Sequence, residues 1–130
     1  MSAASPPIQC LRRSQRLIHP RLFRETFAQQ DAWVGRCMVL WVRRAPDAAL
    51  RVGVVASRKV GNAVMRNRAR RRLREAWRLN RHAFTGTVDV VLVGRRPVTR
   101  ASLAAVTAEL LRLAERAGLR AADANGDQLA

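Results

Sequence analysis

The stretch GNAVMRNRARRRLREAWRLN, Gly61 to Asn80, decides how the rest of this chain is read. Met65, Ala69, Leu73, Ala76 and Trp77 fall at i, i+4, i+8, i+11 and i+12, which is one apolar stripe along an α-helix. Arg66, Arg68, Arg70, Arg71, Arg72, Arg74 and Arg78 occupy the rest of the circumference, and Glu75 is the one acid among them. Four pairs of these arginines are like-charged neighbours one turn apart, each costing roughly a few tenths of a kcal/mol. A helix face that is merely solvated has no reason to keep that repulsion, because acids at the same positions would relieve it. A face that is relieved only when an anion arrives is a binding face.

The whole chain carries the same bias. Lys+Arg number 25 against Asp+Glu 9, a net charge of +16 on 130 residues, which is more than solubility requires and attracts polyanions. Nucleic acid is the first partner this suggests and an anionic membrane surface the second. Hydrophobic residues at 48% place the chain among globular proteins, so the charge does not mark disorder. The length fits a single domain. Lys59 is the only lysine. Arginine offers phosphate a planar fork and stacks on bases, as RNA recognition uses it, although a GC-rich coding sequence would enrich arginine everywhere. The clustering between Arg66 and Arg78 needs the functional explanation.

Cys10 and Cys37 stand alone, without metal-ligand or redox spacing, and read as free thiols in a reducing compartment. The start MSAASPPIQC lacks a signal peptide's charged and apolar regions, and no apolar run is long enough to span a bilayer. The expected location is the cytoplasm, with no membrane association.

Residues 1–16 read as a flexible lead-in, 17–118 as one folded domain and 119–130 as a flexible tail. PRLFRETFAQQ predicts a short amphipathic helix from about Arg21 to Gln30. CMVLWVRR and LRVGVVAS flank the turn-forming APDAA and predict an antiparallel hairpin, with a further short strand near Ala32 to Arg36. VDVVLVG, Val88 to Gly94, is a nearly continuous apolar run, as an internal strand would be. A last helix runs from about Arg100 to Ala117, with Leu103, Val106, Leu110 and Leu113 inward and Gly118 closing it. The fold class is α+β, a small sandwich of order α-β-β-(β)-α-β-α with helices packed on a central sheet.

Arg58 and Lys59 lie between a strand and the basic helix, followed by Gly61 and Asn62, good turn and cap residues at a helix start that offers free N–H groups. An ordinary strand–turn–helix joint would use the same residues. Phe23 and Phe27, one helical turn apart, and Trp41 are three of only six aromatics. They are either core or a stacking platform for unpaired bases. His19 and His82 form no metal-ligand pattern, the carboxylates are scattered, and there is no nucleophile motif or phosphate-cradling glycine loop. The residues supply no catalytic set.

SRKVGNAVMRNRARRRLREAWR resembles the signature of the bacterial ribonuclease P protein component: a basic pair, Gly, Ala-Val, then Arg-Asn-Arg, two basic residues and Arg-Glu. FRETFAQQDAWVGR is similar to that family's first helix, with two Phe four apart, and MVLWV and VDVVLVGRR to its strands, so about Leu17 to Leu113 is covered. The resemblance implies the small subunit of a ribonucleoprotein endonuclease that removes the 5′ leader from precursor tRNA, with the RNA subunit performing the chemistry. Magnesium is then the cofactor, held mainly by RNA, and the partners are ribonuclease P RNA and precursor tRNA, with no obligate protein partner. Arg66, Asn67, Arg68, Arg70, Arg71 and Arg74 are assigned to the RNA subunit by the same resemblance. Phe23, Phe27, Trp41, Arg58 and Lys59 are assigned to the single-stranded leader. No residue is assigned a catalytic or metal-binding role.

A left-handed βαβ crossover around the basic helix is implied as well, against the general preference for right-handed ones. Two departures stand out. Gln30, Asp31 and Ala32 stand where many relatives have Gly and basic residues, so the resemblance does not carry a phosphate contact over to that loop, and the basic pair is Arg-Lys, not Lys-Lys, a mild change. The alternative function is a structural RNA-binding protein, such as a ribosomal component. A DNA-binding regulator, which lacks the paired helices and short turn it would need, and an independent nuclease rank below it.

Overall fold

The computed structural model describes residues 13–120. Its four strands are Ala32–Val34 (β1), Met38–Arg44 (β2), Val52–Ala56 (β3) and Val88–Gly94 (β4), and its helices are Pro20–Ala28 (α1), Ala63–Asn80 (α2) and Leu103–Arg116 (α3). The sheet order is β1-β2-β4-β3. β4 pairs antiparallel with β2 and parallel with β3, so β3, α2 and β4 form a βαβ unit. The short strand near Ala32 is β1.

β4 is apolar apart from Asp89, and it sits between two strands and is covered on both faces. Alternation divides its side chains. Val90 and Leu92 join Leu40 and Val42 beneath Ala69, Leu73, Ala76 and Trp77 of α2 and Val106, Leu110 and Leu113 of α3. Val91 and Val93 face the other way, into a smaller cluster with Leu17, Leu22, Phe23, Phe27 and Trp41. The apolar stripe predicted for the basic helix is the buried one, with Met65 half-buried at its start.

The hairpin expected between CMVLWVRR and LRVGVVAS does not form. β4 stands between β2 and β3, and the hairpin is instead β1–β2, turning where the Gly35 N–H donates to the Met38 carbonyl at 2.8 Å. Asp89, an acid inside β4, supplies part of the reason. It accepts from Arg43 on β2 and from the backbone and guanidinium of Arg51, just before β3, so the 45–51 connection is held across the end of β4.

α3 begins later than expected. Pro97 lies in a 3-10 turn at Arg96–Thr99, and the Ser102 hydroxyl then caps the helix by accepting from Ala105 N. Leu103, predicted inward, is exposed in the first turn. The helix closes as Gly118 takes φ +79°, with Gly118 N–H donating to Glu115 and Leu119 N–H to Ala114, a Schellman motif. From α3 the buried Glu109 carboxylate accepts from the Arg36, Cys37 and Met38 N–H groups at 2.8–3.0 Å, fixing the β1–β2 turn.

The folded region extends past both expected limits. Arg16 bridges to Val52, while Leu119 is buried and Arg120 bridges to Phe84. Cys10, most of the expected lead-in and residues 121–130 lie outside the described residues. Cys37 is free and buried. No described helix is long and apolar enough to cross a membrane.

Candidate nucleic-acid interface

The approach to α2 is a tight turn. Ser57 Oγ accepts from Lys59 N–H, the Ser57 carbonyl accepts from Val60 N–H, and buried Val60 anchors the loop so that Arg58 and Lys59 are exposed on it. Gly61 has φ +146°, and a Cβ there would meet Met65 Cβ at 3.0 Å, so the joint requires glycine. Asn62 then caps α2, its Oδ1 accepting from Met65 N–H at 3.0 Å.

Along α2, Asn67, Arg70, Arg71 and Arg74 share an arc of about 100° on the far side from the buried stripe, with Arg66 and Arg68 on opposite flanks. The arginines are not equivalent. Arg66 turns back to donate to the Gly61 carbonyl at 2.9 Å, Arg70 donates to Asn67 Oδ1, Arg72 donates to the Ala101 carbonyl and Arg78 pairs with Glu75 at 2.6 Å. Arg68, Arg71 and Arg74 are exposed and make no ion pair or hydrogen bond to a described residue, and the same holds for the side chains of Arg58 and Lys59. Five cations therefore project from one end of β3 and along α2 with nothing in the described chain to neutralise them.

On the opposite face of the sheet Phe23, Phe27 and Trp41 come together, all half-buried. Phe27 and Trp41 meet edge to face at 5.0 Å between ring centroids. Phe23 lies against the backbone of Gly53, where an added Cβ would come within 2.5 Å of its ring. Neither of the alternatives open at the sequence level is the whole answer. The rings contribute to a small core and keep part of their surface in the groove between α1 and the sheet. Arg58 and Lys59 sit beyond the end of β3, exposed on the turn into α2.

Sequence reasoning missed the ionic frame of this groove. Arg43, 2% exposed, donates to Glu25 on α1, to Asp47 and to Asp89 at 2.7–2.9 Å. It lies two residues from Trp41 on the same side of β2, and Glu25 lies between Phe23 and Phe27. Burial alone would raise the Asp89 carboxyl, but the Arg51 guanidinium and the N–H groups of Ala49 and Arg51 outweigh it and hold the group below the usual carboxylate range. Glu25 is lowered by its hydrogen bonds from Arg21 and Arg43. The available signal was Asp89, a lone acid in an otherwise apolar strand, and Gly53, a glycine inside a strand where something comes close.

Residues 11–118 match the family model described as Ribonuclease P. The chain is 42% identical over 87 residues to a ribonuclease P protein component of Chloroflexus aurantiacus, across 67% of this chain and 64% of that protein. It thus spans somewhat less than two thirds of that relative's length. Over 108 residues it is 32% identical to the ribonuclease P protein component of Brevibacillus brevis, across 82% of this chain and 86% of that one. The RNase P protein from Thermotoga maritima matches its fold with a TM-score of 0.67 at 29% identity, over 78% of this chain and 96% of that one. With the signature on α2 and the fold in agreement, the chain belongs to the ribonuclease P protein family.

Proposed function

We propose that this chain is the protein subunit of a ribonuclease P ribonucleoprotein, assisting a catalytic RNA in endonucleolytic removal of the 5′ leader from precursor tRNA. The observation that carries the reading is the pairing of two surfaces. Arg68, Arg71 and Arg74, without partners among the described residues, line α2, and a half-exposed aromatic groove lies on the other side of the sheet. In this reading Arg66, Asn67, Arg68, Arg70, Arg71 and Arg74 contact the RNA subunit, where they neutralise crowded phosphates. Phe23, Phe27 and Trp41 hold unpaired leader bases, and Arg58 and Lys59 bind phosphate where the chain passes from the sheet to α2. Bound magnesium would supply the Lewis acid and the activated water of the cleavage. In this reading the chain's own part is positional and electrostatic.

The test compares precursor and mature tRNA as ligands of the complex reconstituted with a bacterial ribonuclease P RNA. Phe27→Ala should weaken binding of the precursor and leave that of mature tRNA, which has no leader, unchanged. Equal loss for both would refute the leader assignment.

A further inference from the structure

The basic surface does not end at α2. Arg72 donates to the carbonyl of Ala101, and Ala101 lines a cavity of about 710 Å³ between the β1–β2 turn, the 3-10 turn at Arg96–Thr99 and the start of α3. Arg68, one helical turn before Arg72 on the same flank, points the same way along this track. Arg36, Arg96 and Arg100 border the cavity; all three are exposed, and their guanidinium groups have no partner among the described residues. Pro97, Ala101 and Ala105 give it an apolar wall. Its one acid, Glu109, is buried and already accepts from three backbone N–H groups. None of these cavity residues belongs to the arginine face or the aromatic groove.

We infer that this cavity takes one unstacked nucleotide of the RNA subunit. Its phosphate lies on the Arg96 and Arg100 side, and its base lies between a guanidinium plane and the Pro97–Ala101–Ala105 wall. The size is that of a small-molecule site. Three unpaired guanidinium groups against one satisfied carboxylate select an anion, and arginine planes stack on bases while binding phosphate. Glu109 keeps the negative end of the ligand outward, at the arginines. The RNA subunit is favoured over the substrate because the cavity continues the Arg68–Arg72 flank and is lined from the turns and α3, while the aromatic groove is formed with α1 on the other face of the sheet. The inference rests on the proposed function.

The experiment uses the full chain and a bacterial ribonuclease P RNA as the probe. One arm measures affinity for that RNA across a potassium chloride series; the other measures the affinity of the assembled complex for precursor tRNA. The variants are Ala105→Trp, which fills the cavity without changing charge, and Arg100→Ala, which removes one cation; both positions are exposed, so melting temperatures should match the parent. Ala105→Trp is expected to weaken RNA-subunit binding about tenfold with its salt slope unchanged, the loss of one stacked base. Arg100→Ala should make the log–log slope shallower by about 0.7 to 0.9, one phosphate contact. If the parent binds the RNA and both variants bind it equally, with the same slope, the inference is overturned. A loss confined to the precursor arm overturns the RNA-subunit assignment and moves the nucleotide to the substrate. Failure of the parent chain itself to bind the RNA would instead sink the proposed function beneath it.

Discussion

Asp89 shows how much one side chain can organise. It is fully buried, yet it is charged, because Arg43, Arg51 and two backbone N–H groups surround it. Its carboxyl is held below the usual range in the folded protein, against about 3.9 when unfolded. For a depressed acid the sign is fixed: the stabilisation is fully present above about pH 4 and is lost as pH falls through the folded value. Urea midpoints should therefore fall below about pH 4 in the parent protein. Asp89→Asn should lose about 1.5–3 kcal/mol near pH 7, because the charged hydrogen bonds from Arg43 and Arg51 to a buried carboxylate are lost while Arg43 keeps Glu25 and Asp47, and should flatten the acid part of the curve. At Gln30 the effect runs the other way. Gln30 takes φ +56°, in the left-handed region that favours glycine. Gln30→Gly should raise stability by up to about 1 kcal/mol, read from denaturant unfolding. Asp31, the next departure, pairs with Arg44 at 3.0 Å and so helps tie the α1–β1 loop to the sheet.

α2 was legible at the level of the element because a helix advertises its buried face in its own spacing. Ala69, Leu73, Ala76 and Trp77 carry that pattern without reference to anything else. The strands were legible as strands but not as neighbours. LRVGVVAS does not state whether it pairs with the strand before it or with one whose residues lie 38 positions later; that is decided by β4's need for two partners and by Asp89. For the same reason the groove residues Phe23, Phe27 and Trp41 could be picked out, whereas the Gly53 backbone beneath Phe23 and the Arg43 frame could not. Two substitutions separate the two faces. Gly53→Ala forces its Cβ against the Phe23 ring, and should cost about 1–3 kcal/mol of stability while weakening precursor binding more than RNA-subunit binding. Arg68→Ala, at an exposed cation with no partner among the described residues, should leave stability unchanged and weaken the RNA-subunit complex, with a shallower salt dependence.

For the whole molecule, a net charge of +16 is divided between cations the fold consumes and cations it leaves free. Arg43 and Arg51 hold β2, β3 and β4 together, and Arg72 ties α2 to the turn before α3, while Arg58, Lys59, Arg68, Arg71 and Arg74 hold nothing among the described residues. Composition alone could not make that division, since apart from Lys59 both groups are arginine. The sheet makes it by setting the ion-paired frame beside the aromatic groove and α2 on the other face. In the proposed function this free set is what the chain contributes: it would lower the electrostatic cost of crowding RNA phosphates. The direct measurement is 5′-leader cleavage of a precursor tRNA by a bacterial ribonuclease P RNA at low magnesium, with and without this protein, beside a protein-only control. Stimulation that requires the RNA is the predicted result. No stimulation despite tight RNA binding, or cleavage by the protein alone, would contradict the account.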